Sequence, residues 1–76
     1  MDPNRADEVS ERIIAACERL GEKPLSGMRR KEIRPTLRSV AVNPYTIYYR
    51  IVRERVEISR ILHQRQDAAR ILRKRK

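Results

Sequence analysis

The apolar positions follow one period at the start of the chain and another further on. From Ala6, the residues Val9, Ile13, Ala16, Cys17 and Leu20 recur three or four places apart with charged residues between them. That spacing predicts an amphipathic helix of about five turns over residues 3–20. Asp2 stands as its N-cap and Pro3 at its first position, where a missing amide proton costs nothing. Asp7, Glu8 and Glu11 near the start suit the helix dipole, and Gly21, with Pro24 beyond it, is the expected stop.

Past residue 37 the period falls to two. Val40 and Val42 alternate with Ser39 and Ala41 in a strand over residues 38–42, and Asn43-Pro44 makes a turn. Over residues 45–52, Tyr45, Ile47, Tyr49 and Ile51 take one face, and Thr46, Tyr48, Arg50 and Val52 take the other. Over residues 56–63, Val56, Ile58, Arg60 and Leu62 alternate with Glu57, Ser59, Ile61 and His63. A turn centred on Glu54-Arg55 sets Ile51 opposite Ile58, Tyr49 opposite Arg60 and Ile47 opposite Leu62. The Tyr45–Ile51 set then lies against the helix. No Asn-Gly is present, so a four-residue turn is expected rather than a tight two-residue one.

Asp67 is placed to cap a last helix over residues 68–74, whose apolar stripe is Ala68, Ile71 and Leu72 and whose end, Arg73–Lys76, is basic. Residues 21–37 hold both glycines, two of the four prolines and the run Arg29-Arg30-Lys31. They read as a loop with a short turn at Lys31–Ile33. The expected fold is a single α+β domain over residues 1–76, an N-terminal helix packed on a three-stranded antiparallel sheet with a short C-terminal helix.

Composition narrows the function. The chain has 76 residues with no Phe and no Trp, and a chain of this size buries only roughly 60% of its unfolded surface. A core built from Ile, Leu, Val and three tyrosines is marginal, so a partner or oligomer that completes it is expected. The net charge of +9 is uneven: residues 1–24 carry −2 and residues 25–76 carry +11. The later elements therefore present a footprint for an anionic partner, either nucleic acid or an acidic protein. Cys17 is the single cysteine, which excludes an internal disulfide and points to a reducing cytoplasm. One His and one Cys far apart cannot build a structural zinc site, and no cofactor is expected. No apolar run approaches the length of about 20 residues that spans a bilayer, and the acidic, polar N-terminus is not a signal peptide.

His63, Arg65 and Asp67 occupy alternate positions where the last strand ends. A catalytic reading makes His63 a general base and Arg65 a stabiliser of phosphate charge. The plainer reading makes Asp67 a helix cap bonded locally by His63 or Arg65. It is preferred because no second acid or base completes the chemistry. Arg29, Arg30, Lys31 and Arg34 form a basic, partner-facing segment. Among the tyrosines, Tyr45 and Tyr49 share the core face, and only Tyr48 points the other way, as a base-stacking residue would. Cys17 reads as a small core residue, and Arg60, which interrupts its apolar face, as a stem packed beside Tyr49.

The runs "GMRRKEIRPTLRSVAV", "YTIYYRI" and "VEISRILHQRQD" together resemble the ParE branch of the RelE/ParE toxins of type II toxin–antitoxin systems. The resemblance rests on Leu37-Arg38, on Tyr45 to Arg50, and on Arg60, Leu62, His63 and Asp67. "NRADEVSERIIAACERLGEKP" is similar to the family's second helix, so the likeness covers roughly residues 3–72. It implies a small α+β toxin of a plasmid-stabilisation system, neutralised by a cognate ParD-like antitoxin and, for ParE members, directed at DNA gyrase. The RelE members instead cut messenger RNA on the ribosome. That nuclease branch carries an Arg where Thr46 stands and a Tyr where Ile71 stands, and only Arg65 matches a basic catalytic position. The resemblance thus favours a non-enzymatic toxin, in which Arg38, Arg50, Arg60, His63, Arg65 and Asp67 form a polar cluster that shapes a docking surface. A RelE-type ribonuclease using Arg65 and His63 is the alternative, and an inactive toxin remnant is another.

Family members normally carry a β-strand and a first helix ahead of the element that starts here at Asp2. Without them, apolar surface or a sheet edge is left open, and the chain is expected to associate with itself or with an antitoxin segment. Sedimentation checks this: a monodisperse monomer with a cooperative melt contradicts it.

Overall fold

The two-residue period of the second half of the chain builds a sheet, and the sheet organises everything else. The computed structural model describes residues 3–73, with side chains from residue 8 onward. Its elements are α1 (Pro3–Glu22), a 3-10 turn at Pro24–Ser26, β1 (Met28–Arg29), β2 (Arg38–Val42), β3 (Tyr45–Val52), β4 (Arg55–His63) and α2 (Ala68–Arg73). The strands are antiparallel in the order β1-β2-β3-β4. The N-cap expected at Asp2 and the basic tail at Lys74–Lys76 lie outside the described residues.

The expected α+β architecture is present, with one addition. The two-residue strand β1 pairs Met28 with Ser39 and Arg29 with Arg38, so the sheet has four strands. Helix α1 also runs past Gly21 to Glu22, and neither glycine takes a positive φ. Pro24, which cannot continue a helix, ends it rather than Gly21.

The sheet is covered on both faces. On the first, α1 contributes Ala16 and Leu20 to a core with Val42, Ile47 and Tyr49, and Ile13, Cys17, Val40, Ile51 and Val56 pack around it. On the second, Leu72 of α2 meets Leu37, Tyr48 and Leu62, with Ile33, Ala68 and Ile71 beside them. The centre of β3 shows the consequence. Ile47, Tyr48 and Tyr49 are 0%, 7% and 0% exposed, three consecutive buried residues that only a strand covered from both sides can have. Tyr45, Ile47, Tyr49 and Ile51 do face α1 as expected, and Tyr48 does point away, but its ring is buried beneath α2 rather than free to stack on a base.

The β3–β4 register differs from the expected one. Val52 pairs with Arg55, Ile51 with Val56, Arg50 with Glu57 and Tyr49 with Ile58. The turn is therefore Arg53-Glu54, and its φ values of 51° and 66° make it the tight, left-handed type that follows strand twist. The ladder then shifts between Tyr48 and Tyr49, leaving Ser59 as an extra residue, and resumes with Tyr48 opposite Arg60, Ile47 opposite Ile61 and Thr46 opposite Leu62. A bulge of this kind exchanges the faces of every later residue. Leu62 consequently joins the α2 core and Ile61 turns to the α1 side, where it is 40% exposed. Arg60 stands across from Tyr48 on the second face and not beside Tyr49.

Tyr49 also fixes the chain that follows α1. Its hydroxyl donates to the Pro24 carbonyl at 2.6 Å and accepts from the Gly27 amide at 2.9 Å. Arg38 Nη1 adds bonds to the carbonyls of Leu25 at 3.3 Å and Gly27 at 3.1 Å. The 24–27 turn is thereby tied to the sheet end, and the helix cannot swing on its linker without breaking buried polar pairs.

Candidate partner-binding surfaces

Segment 30–37 lies on the second face because its own backbone and two arginines hold it there. Arg30 N donates to Leu37 O at 2.8 Å, and the amides of Ile33 and Arg34 both donate back to Arg30 O. Arg30 Nε donates to Oγ of Ser39, which is 3% exposed, at 2.8 Å, and the Arg73 guanidinium of α2 bonds the Glu32 carbonyl. Arg30 is thus a structural tie. Arg29 and Lys31 are exposed, and Arg34 is half-buried.

The six residues expected to form one polar cluster occupy three separate places. Arg38 serves the 24–27 turn. Arg50 pairs with Glu57, its cross-strand neighbour, through Arg50 Nη2 at 2.7 Å, and does not reach Asp67. Arg60 stands in the groove between this pair and the 34–37 segment. His63, Arg65 and Asp67 belong to the β4–α2 connection.

That connection is built for closure. His63 Nδ1 accepts the Arg65 amide at 3.1 Å, and the imidazole meets the Tyr45 ring edge-on at 5.4 Å between centroids. The Gln66 side chain accepts the His63 amide at 2.8 Å. Asp67 Oδ1 accepts the Arg70 amide at 3.1 Å, the N-cap bond expected of it. Asp67→Ala is therefore expected to lower stability by about 1 kcal/mol through loss of the cap. Urea denaturation reads this directly, and an unchanged midpoint contradicts the capping role.

Two contacts escaped sequence reasoning. Glu57 is the partner of Arg50, visible only once the register is known. Gly27 is fixed by Tyr49, 22 residues away in the chain. Among the described residues no group of three His, Cys, Asp or Glu side chains is placed to hold a metal, and no helix is long and apolar enough to cross a membrane.

A helix and a two-sided antiparallel sheet with a short returning helix, basic on the sheet's second face, define a small α+β binding domain. The family model for the ParE toxin of type II toxin–antitoxin systems, parDE, matches residues 1–68. The chain is 31% identical over 70 residues to a protein named Toxin ParE1 from Mycobacterium tuberculosis, covering 91% of this chain and 71% of that one. It is 40% identical over 58 residues to Toxin ParE3 of Caulobacter vibrioides, covering 76% of this chain and 58% of that one. The chain belongs to the ParE toxin family of type II toxin–antitoxin systems, a membership that implies an antitoxin partner.

Proposed function

We propose that the chain acts as a toxin by protein–protein contact, with DNA gyrase as its target, and that a cognate ParD-like antitoxin neutralises it. The observation that carries the non-catalytic reading is the engagement of His63 and Asp67. His63 gives Nδ1, the one acceptor nitrogen of its neutral ring, to the Arg65 amide, and Asp67 gives Oδ1 to the Arg70 amide as the cap of α2. Two of the three nuclease-branch positions, all but Arg65, support it. Thr46 carries no ionisable group, and Ile71 packs partly buried against the Leu72 core.

The antitoxin docks, on this reading, along the flank of α1 facing β4. A groove of about 470 Å³ there is lined by Cys17, Gly21, Glu54, Arg55, Val56 and Ile58. Ile14 and Ile58 stand 58% and 40% exposed, and β4 ends the sheet with its outer edge unpaired among the described residues. An amphipathic, acidic segment suits such a place: apolar side chains fill the groove while its charge meets a domain of net +9.

Induced expression tests the toxin assignment. Growth arrest that is relieved by co-expressing a cognate ParD-like antitoxin is the expected result. Undisturbed growth with the folded chain present contradicts it.

A further inference from the structure

We infer that the second face of the sheet carries a binding site for the phosphodiester backbone of nucleic acid, centred on Arg34 and Arg60. A groove of about 590 Å³ opens between segment 34–37 and the outer half of β3–β4. Arg34, Arg50 and Arg60 line it from three different elements, with Glu57 as its one acid. Glu57 is held by Arg50 at 2.7 Å, so that pair is internally neutral. Arg34 and Arg60 make no side-chain ion pair or hydrogen bond among the described residues. Two guanidinium groups therefore face one cavity with their charge uncompensated. On the other side of the Pro35–Leu37 ridge, a second depression of about 220 Å³ is lined by Arg29 and Arg38, which extends the cationic surface.

Several features favour phosphate over an acidic protein segment. A planar guanidinium offers paired donors that match two phosphate oxygens. A protein partner draws most of its affinity from large side chains seated in apolar pockets. Here Leu37 and Leu72 are 3% and 4% exposed and already packed in the second-face core, which leaves Ile58, 40% exposed at the rim, and Pro35 as the accessible apolar residues beside the arginines. The groove also lacks an open aromatic surface, since Tyr48 is buried, so bases have nothing to stack on. Recognition through phosphates alone is independent of sequence and steeply dependent on salt. Such a site suits a toxin whose target itself holds DNA, although the inference does not rest on that target.

The test uses the full chain with a short fluorescent DNA duplex and a single-stranded RNA of mixed sequence. Binding is followed by anisotropy over a series of salt concentrations, and far-UV circular dichroism verifies folding of each variant. Arg34→Gln and Arg60→Gln are each expected to weaken binding several-fold and to reduce the slope of log K against log salt by about 0.9 on duplex, or about 0.7 on single strands. Arg12→Gln removes the same charge from exposed α1 on the opposite face and is expected to change neither quantity. The polymer bound more tightly identifies the source of the phosphates. The inference is overturned if neither polymer binds, if Arg12→Gln matches the groove variants, or if polyglutamate competes for Arg34 and Arg60 while nucleic acid does not.

Discussion

Leu72→Ala is expected to destabilise the chain by about 2–4 kcal/mol, the usual cost of emptying a buried leucine site. Leu72 is 4% exposed and is the main residue by which α2 holds the second face, against Tyr48, Leu62 and Leu37. Helix α2 has six described residues, too few to persist without packing, so losing its anchor releases the helix as well as opening a cavity. The total stability of a domain this size is on the order of 4–11 kcal/mol, so the loss is a large fraction of it. The urea midpoint gives the magnitude, and tyrosine fluorescence reports the exposure of Tyr48 in a chain without Trp. A change of no more than about 0.5 kcal/mol, as for a surface substitution, contradicts the role assigned to this core.

The second large effect concerns Gly27, where two physical arguments predict opposite signs. Gly27 has φ −76° and ψ 159°, a conformation any residue adopts, so backbone entropy alone predicts that alanine stabilises by about 0.4–1 kcal/mol. A Cβ there, however, stands 2.3 Å from the Tyr49 hydroxyl and 2.7 Å from its ring. Tyr49 is 0% exposed and wedged in the α1 core, so it has little room to yield. Shifting it breaks the bonds to Pro24 and Gly27 and strains the packing, together about 2 kcal/mol. Net of the entropic gain, Gly27→Ala is thus expected to cost about 1–1.6 kcal/mol and to lower the melting temperature by about 4–13 °C. In a Tyr49→Phe background, which lacks the clashing hydroxyl, the same change is expected to cost less. A raised melting temperature for Gly27→Ala contradicts the contact.

Much of this was legible in the sequence because it depends on short-range pattern. The three- and four-residue spacing from Val9 to Leu20 identifies α1, and the alternation from Tyr45 to Ile51 identifies both β3 and the face it turns to the helix. Asp67 was recognisable as a cap because capping is local. The β4 register was not legible. Arg53-Glu54 lacks the Asn or Gly that advertises two left-handed residues, and the favourable pairing of two long strands offsets its local strain. The bulge at Ser59 left no mark on the alternation of Val56–His63, because either face of that run carries apolar residues. That one extra residue moved Leu62 to the α2 core and placed Arg60 in the groove.

The candidate site divides along the same line. His63, Arg65 and Asp67, which lie close in sequence, form a local turn with Asp67 as the helix cap, in line with the plainer reading of their spacing. The arginines that converge on one cavity, Arg34, Arg50 and Arg60, come from a loop and two strands whose relative placement depends on the register and on the ties from Arg30 and Arg73. The sequence marked Arg34 as part of a basic, partner-facing segment and Arg50 and Arg60 as members of a docking cluster, but nothing in it showed that these three share one cavity.

The central claim, a toxin that acts on gyrase by contact rather than by cutting RNA, is tested most directly by adding the purified chain to a DNA supercoiling reaction, with and without its antitoxin, beside a ribosome-dependent messenger RNA cleavage assay. The account predicts that gyrase is inhibited, that the antitoxin restores supercoiling, and that Arg65→Ala leaves inhibition intact. Undisturbed supercoiling together with RNA cleavage that Arg65→Ala abolishes would contradict it.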